Sequence, residues 1–166
     1  MGGRRTLAGV VKPVIAVVGG STCTAAEAAL AEDLGRRLAQ SGAVVVCGGL
    51  GGVMEAVARG VRAGGGQTIG ILPGSDPGEA NPHIDVALAT GMGEMRNALI
   101  VRAAGAVIAV GGGHGTLSEI ALALRIGTPV VGLQDRFVGA VDMPRVPDAG
   151  TAAAWALEQA ARRLRG

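Results

Sequence analysis

The chain has 166 residues, 49% hydrophobic and 17% charged, with 30 glycines, one Trp, one Phe and no Tyr. Glycine runs at more than twice its usual ~7%, but proline is ordinary and apolar content high. A disordered Gly/Pro chain is therefore excluded, and a single domain over 1–166 is expected. A net charge of +2 and the near absence of rings argue against nucleic-acid binding by counterion release or base stacking.

Lys12 is the only lysine, so any lysine-nucleophile chemistry has to use it. Cys23 and Cys47 are too few for a disulfide framework, and neither has a Cys or His nearby at ligand spacing. No metal site is expected, and a reduced, cytoplasmic protein is. Residues 1–12 read as an N-terminal extension without the apolar stretch of a leader. No later apolar run reaches the ~20 residues of a membrane span.

Short β-branched runs alternate with Ala-rich helical stretches from end to end, which is the α/β pattern. Pro13 to Val18 is continuously apolar, as in a strand covered on both faces. Thr24 with Glu27 forms a capping box that opens a helix to about Gln40. Ala43 to Cys47 is the second strand, Gly51 to Ala63 the second helix, and Gln67 to Leu72 the third strand. Connections of this kind predict right-handed parallel crossovers.

Pro73 to His83 carries Gly74, Pro77, Gly78 and Pro82 and reads as a loop over the strand ends. Ile84 to Ala89 is a fourth strand, Glu94 to Ala103 a third helix, Ala106 to Val110 a fifth strand, Thr116 to Ile126 a fourth helix, and Pro129 to Leu133 a sixth strand. A short edge strand near Arg145 and Val146 and a final amphipathic helix from about Thr151 to Leu164 complete a mainly parallel sheet of six or seven strands, with helices on both faces. The segment Ala98 to Val101 and the run Ile120 to Leu124 are apolar nearly all round, which points to a homo-oligomer, a dimer or dimer-based, or to burial within the domain itself.

The glycines collect at Gly19-Gly20, at Gly48-Gly49 with Gly51-Gly52, and at Gly111-Gly112-Gly113 with Gly115. Each cluster follows a strand and opens a helix, with Ser21, Met54 and His114 alongside. In a parallel sheet these loops share the carboxyl edge, where unpaired N–H groups at helix starts bind anions. A phosphorylated small-molecule ligand is the reading. There is no G-x-x-x-x-G-K-[ST], and the second strand ends in Cys47-Gly48 rather than an acidic residue for a ribose hydroxyl, so neither a P-loop nor ordinary NAD binding is indicated.

Two charged residues join this edge. Glu119 follows Thr116 by three residues, a spacing that also makes a capping box, so helix capping and ligand chemistry are both open. Arg96, ahead of Asn97, is either a solvated surface arginine or a clamp for a phosphate.

Gly112-Gly113-His114-Gly115-Thr116-Leu117-Ser118-Glu119, the loop Gly48 to Met54, and Arg96-Asn97 together resemble the LOG family, Rossmann-like doubly wound proteins of the SLOG superfamily once labelled lysine decarboxylases. The resemblance runs from the first strand through Leu133. It implies nucleoside 5′-monophosphate phosphoribohydrolase activity, with Arg96 and Glu119 catalytic. Gly112, Gly113, Gly115 and Thr116 would contact the phosphate, with no cofactor required.

Gly111 stands where the family has Pro, Asn97 where it has Lys, and Glu94 and Met95 where it has His and Glu. The Arg-Asn version looks closer to a bacterial subgroup that also resembles molybdenum-cofactor carriers. The alternative is therefore a non-catalytic binder of a nucleotide or of the molybdenum cofactor. A decarboxylase using pyridoxal phosphate is rejected, because Lys12 precedes the first buried strand.

Overall fold

The computed structural model describes residues 5, 6 and 9–165, with the backbone alone at 5, 6, 9, 10 and 165. Most of the predicted extension over 1–12 thus falls outside the described side chains. Its backbone pairs β1 (Arg5–Thr6) with β2 (Gly9–Val10) in an antiparallel ladder that the sequence did not announce.

Alternating elements follow: β3 (Val14–Gly19), α1 (Ala25–Gln40), β4 (Val44–Cys47), α2 (Val53–Ala63), β5 (Gln67–Leu72), β6 (Val86–Ala89), α3 (Asn97–Ala103), β7 (Ala106–Val110), α4 (His114–Ile126), β8 (Val130–Leu133), β9 (Arg145–Val146) and α5 (Ala149–Arg165). Strands β3 to β9 form one seven-stranded sheet in the order β6-β5-β4-β3-β7-β8-β9. Every pairing within it is parallel. The fold is the expected doubly wound α/β sheet, including the short edge strand at Arg145 and Val146.

Aliphatic side chains build the two cores. One face of the sheet packs Ile15, Val17, Val45 and Ile108 against Leu34 and Leu38 of α1, Val57 of α2 and Ala156 of α5. The other packs Ala16, Val18, Val107 and Ala109 against Ile100 of α3 and Ile120 of α4. Strand β7, inside the sheet between β3 and β8, is buried at all five positions, which is why it reads as an unbroken apolar run.

Local chemistry sets the helix ends. Thr24 caps α1 through the predicted box: its Oγ1 accepts from the Glu27 N–H at 3.1 Å and Glu27 Oε2 accepts from the Thr24 N–H at 2.8 Å. The Asp148 carboxylate accepts from the Thr151 N–H at 2.7 Å and starts α5 earlier than the apolar pattern suggested. The third helix differs in kind, since Gly93–Arg96 is a 3-10 turn and the α-helix begins only at Asn97.

Strand order reverses at β3, whose neighbours are β4 and β7. The crevice beyond the carboxyl ends of β3 and β7 is where ligands sit in open parallel sheets.

Candidate functional site

A cavity of about 390 Å³ occupies that crevice. Gly19, Gly20 and Ser21 line it from the loop after β3, and Met54 from α2. Arg96 and Asn97 contribute from the turn before α3. Gly112, Gly113, His114, Gly115, Thr116 and Glu119 contribute from the loop after β7 and the start of α4. Of the predicted residues, Gly48, Gly49, Gly51 and Gly52 do not face the cavity; they shape its back wall instead. Gly52 lies against Gly20 and Ser21. The Gly49 carbonyl accepts from the Asn81 backbone N–H at 2.9 Å.

The N-terminus of α4 opens on the cavity. Its N-cap is Gly113, which has no side chain to cap with, so the first-turn N–H groups are left for a ligand. This corrects the capping box suggested by Thr116 and Glu119. The helix starts at His114, two residues earlier, so Thr116 is already inside its first turn. Thr116 and Glu119 are instead buried polar residues on the cavity wall, 3% and 7% exposed.

Arg96 is no surface arginine, being 7% exposed. Its Nη1 donates to the Gly48 carbonyl at 2.8 Å and to the Ile71 carbonyl, tying the second glycine loop to the end of β5. A Cβ on Gly48 would collide with that guanidinium and with Met54 Sδ, so a side chain there would have to displace both. The buried Nε finds no partner among the described residues. Asn97 donates through Nδ2 to Ser118 Oγ at 3.1 Å, and Ser118 in turn donates to the Gly115 carbonyl at 2.7 Å. Asn97 thus braces the loop after β7 rather than supplying the charge of the family's Lys.

Glu119 is the perturbed acid. Burial pushes its carboxyl up to about 8, only partly opposed by the Arg96 guanidinium and reinforced by the nearby charge of Glu94. Burial likewise raises the thiol of Cys47, a core residue near Arg96, to about 11, so it stays a neutral thiol.

Four lining residues lay outside the predicted set: Thr22, Leu50, Glu94 and Arg136. Arg136 belongs to the segment after β8, to which the sequence reading assigned no site residue. Its signal was available, because the loop after β8 opens on the same sheet edge as the glycine loops.

A family model described as the SLOG cluster4 family matches residues 12–158. The chain belongs to this family. An uncharacterized protein of Archaeoglobus fulgidus is 43% identical to this SLOG chain over 120 residues, covering 72% of the chain and 79% of that protein. The cytokinin riboside 5′-monophosphate phosphoribohydrolase LOG of Oryza sativa is 40% identical over 94 residues, 54% of this chain but 38% of the rice protein. The chain thus matches well under half of the rice protein's length. Among solved structures, the molybdenum cofactor carrier protein of Chlamydomonas reinhardtii superimposes with a TM-score of 0.82 at 32% identity, covering 91% of this chain and 99% of that one.

Proposed function

We propose that the cavity binds a phosphomonoester and that the protein hydrolyses the N-glycosidic bond of a nucleoside 5′-monophosphate, releasing free base and ribose 5-phosphate. The observation carrying this reading is Glu119, a buried carboxyl on the cavity wall, beside Arg96, that takes no hydrogen bond from the described residues. An acid displaced this far, in a cleft, is the kind of group that chemistry needs and folding alone does not.

The reaction fits that placement. The bond between C1′ and the base nitrogen breaks with its electrons leaving on the base, and the sugar passes through an oxocarbenium-like state. Water then adds to C1′. The ionised Glu119 stabilises the positive sugar and takes the proton of the attacking water, that proton passes through solvent to the departing base and leaves Glu119 ionised again, and the N–H groups opening α4 hold the 5′-phosphate. Glu119→Gln keeps the shape and removes the charge, and is expected to slow release of base from AMP by about 10²- to 10⁴-fold. A variant as fast as the parent would remove Glu119 from the reaction.

A second reading is carriage of a phosphorylated cofactor such as the molybdenum cofactor. It is favoured by the end-to-end likeness to the Chlamydomonas carrier and by the neutral Asn97 in the family's lysine position. Among the described residues no cluster of His, Cys, Asp or Glu could grip a metal ion. Such a cargo would fit through its phosphate at α4, and Glu119 would then be dispensable. Purified protein that releases no base from any nucleoside monophosphate yet retains a pterin would favour the carrier.

A further inference from the structure

Arg136 lines the cavity but has no part in the reaction above. Its loop is built with care. Gln134 sits at φ 52, in the left-handed region that residues other than glycine seldom occupy and that tends to persist where function holds it. Next to it Asp135 is buried, accepting from Arg145 Nε at 2.9 Å and Nη2 at 3.3 Å and from the Phe137 N–H at 2.9 Å. With the turn braced in this way, Arg136 comes to the edge of the crevice between β3 and β7.

There its Nη2 donates to Glu27 Oε1 at 2.8 Å. The pair lies directly on the phosphate loop: Gly111 has φ +55, and a Cβ there would collide with the Glu27 carboxylate. The family's Pro, with φ locked near −65°, cannot take that backbone conformation, and a Cβ there would meet the Glu27 carboxylate that Arg136 holds. The other departure, Asn97 for Lys, removes a cation from the pocket. Arg96 cannot replace it freely, because its Nη1 is committed to two carbonyls. Arg136 can. Its side chain is 56% exposed, whereas Glu27 is 11% exposed and keeps the Thr24 N–H as a second partner, so the carboxylate stays hydrogen-bonded when the solvent-facing guanidinium turns away.

We propose that Arg136 is the ligand's phosphate clasp, exchanging the Glu27 carboxylate for the phosphate bound at the start of α4. The proposal rests on the reading of the cavity as a phosphomonoester site, and it identifies the ligand's anionic end as the one facing β8. A phosphate dianion offers a guanidinium more acceptors and more charge than one carboxylate does.

The test is calorimetric titration of inorganic phosphate and of AMP into the parent protein and three variants: Arg136→Gln, Glu27→Gln and, as a control on an exposed arginine elsewhere, Arg102→Gln. Neither probe requires turnover. Arg136→Gln is expected to weaken both by about tenfold, the scale of one charge-assisted contact. Glu27→Gln, which keeps the capping box, is expected to tighten both about two- to threefold by removing the competing charge. Arg102→Gln is expected to bind as the parent does. If the parent binds and Arg136→Gln binds equally well, the clasp is wrong while the phosphate reading stands. An unchanged or weakened Glu27→Gln overturns the exchange, and a parent that binds neither probe overturns the clasp and the phosphate site together.

Discussion

In the proposed reaction, Glu119 sets stability and activity against each other along the pH axis. Folding raises its carboxyl from an ordinary 4.5 to about 8, so the folded state holds a proton over that window that the unfolded chain gives up. Its contribution to stability is complete below about 4.5 and is lost as pH rises towards 8. Thermal unfolding between about pH 5 and pH 9 should show the parent losing stability with a slope that Glu119→Gln flattens. The proposed hydrolysis runs the other way: if the ionised form does the work, kcat/KM for AMP should climb with pH, reach half its maximum near 8 and level off above it. A rate that falls over the same range would make Glu119 a proton donor instead. From sequence, Glu119 had a bland alternative in the capping box, and only the resemblance favoured chemistry. Arg96 was illegible for another reason. Its acceptors, Gly48 and Ile71, lie 48 and 25 residues away, so nothing local announces that it is buried.

At the scale of elements, close approach decides most of what the glycines do. Helices α1 and α2 cross where Gly60 meets the Glu32 carbonyl and Gly35 meets the Val57 carbonyl, with no room for a side chain. Gly60→Ala should cost about 1–3 kcal/mol in urea denaturation, because the backbones must separate to admit a methyl group. Arg96 acts at this scale as well. Arg96→Ala would leave two carbonyls without their donor at the junction of the second glycine loop and β5, and should cost about 2–4 kcal/mol in the same assay. Loss of activity in that variant would therefore not identify a chemical role, which makes Glu119→Gln the cleaner probe. The start of α1 was readable because Thr24 stands at a true boundary. The start of α4 was not, since a run of glycines lets the chain turn helical before the first residue that could cap it.

Across the whole molecule, the sheet was legible because each central strand is a short run of Val, Ile and Ala that a doubly covered parallel strand requires. Once the strands and crossovers are placed, three glycine loops must share an edge. What the pattern could not show is the loop after β8 meeting α1, a contact between Arg136 and Glu27 spanning 109 residues. The apolar helices predicted to be central or shared between subunits prove to be both buried and exposed. Ile100 and Ile120 are fully buried, whereas Leu99 is 37% and Leu124 45% exposed. We expect a second copy of the chain to cover α3 and α4. Sedimentation should find a dimer or a dimer-based assembly, and Leu99→Glu with Leu124→Glu should shift it to monomer; a monomeric parent would contradict that.

The proposed function is a phosphate-anchored cavity in which Glu119 assists hydrolysis of an N-glycosidic bond. Its most direct measurement is incubation of the purified protein with a panel of nucleoside 5′-monophosphates, with free base and ribose 5-phosphate quantified by chromatography. Equimolar base and ribose 5-phosphate from at least one nucleotide, lost on Glu119→Gln, is the result predicted. No base from any nucleotide, with a phosphorylated pterin retained through purification, would contradict it.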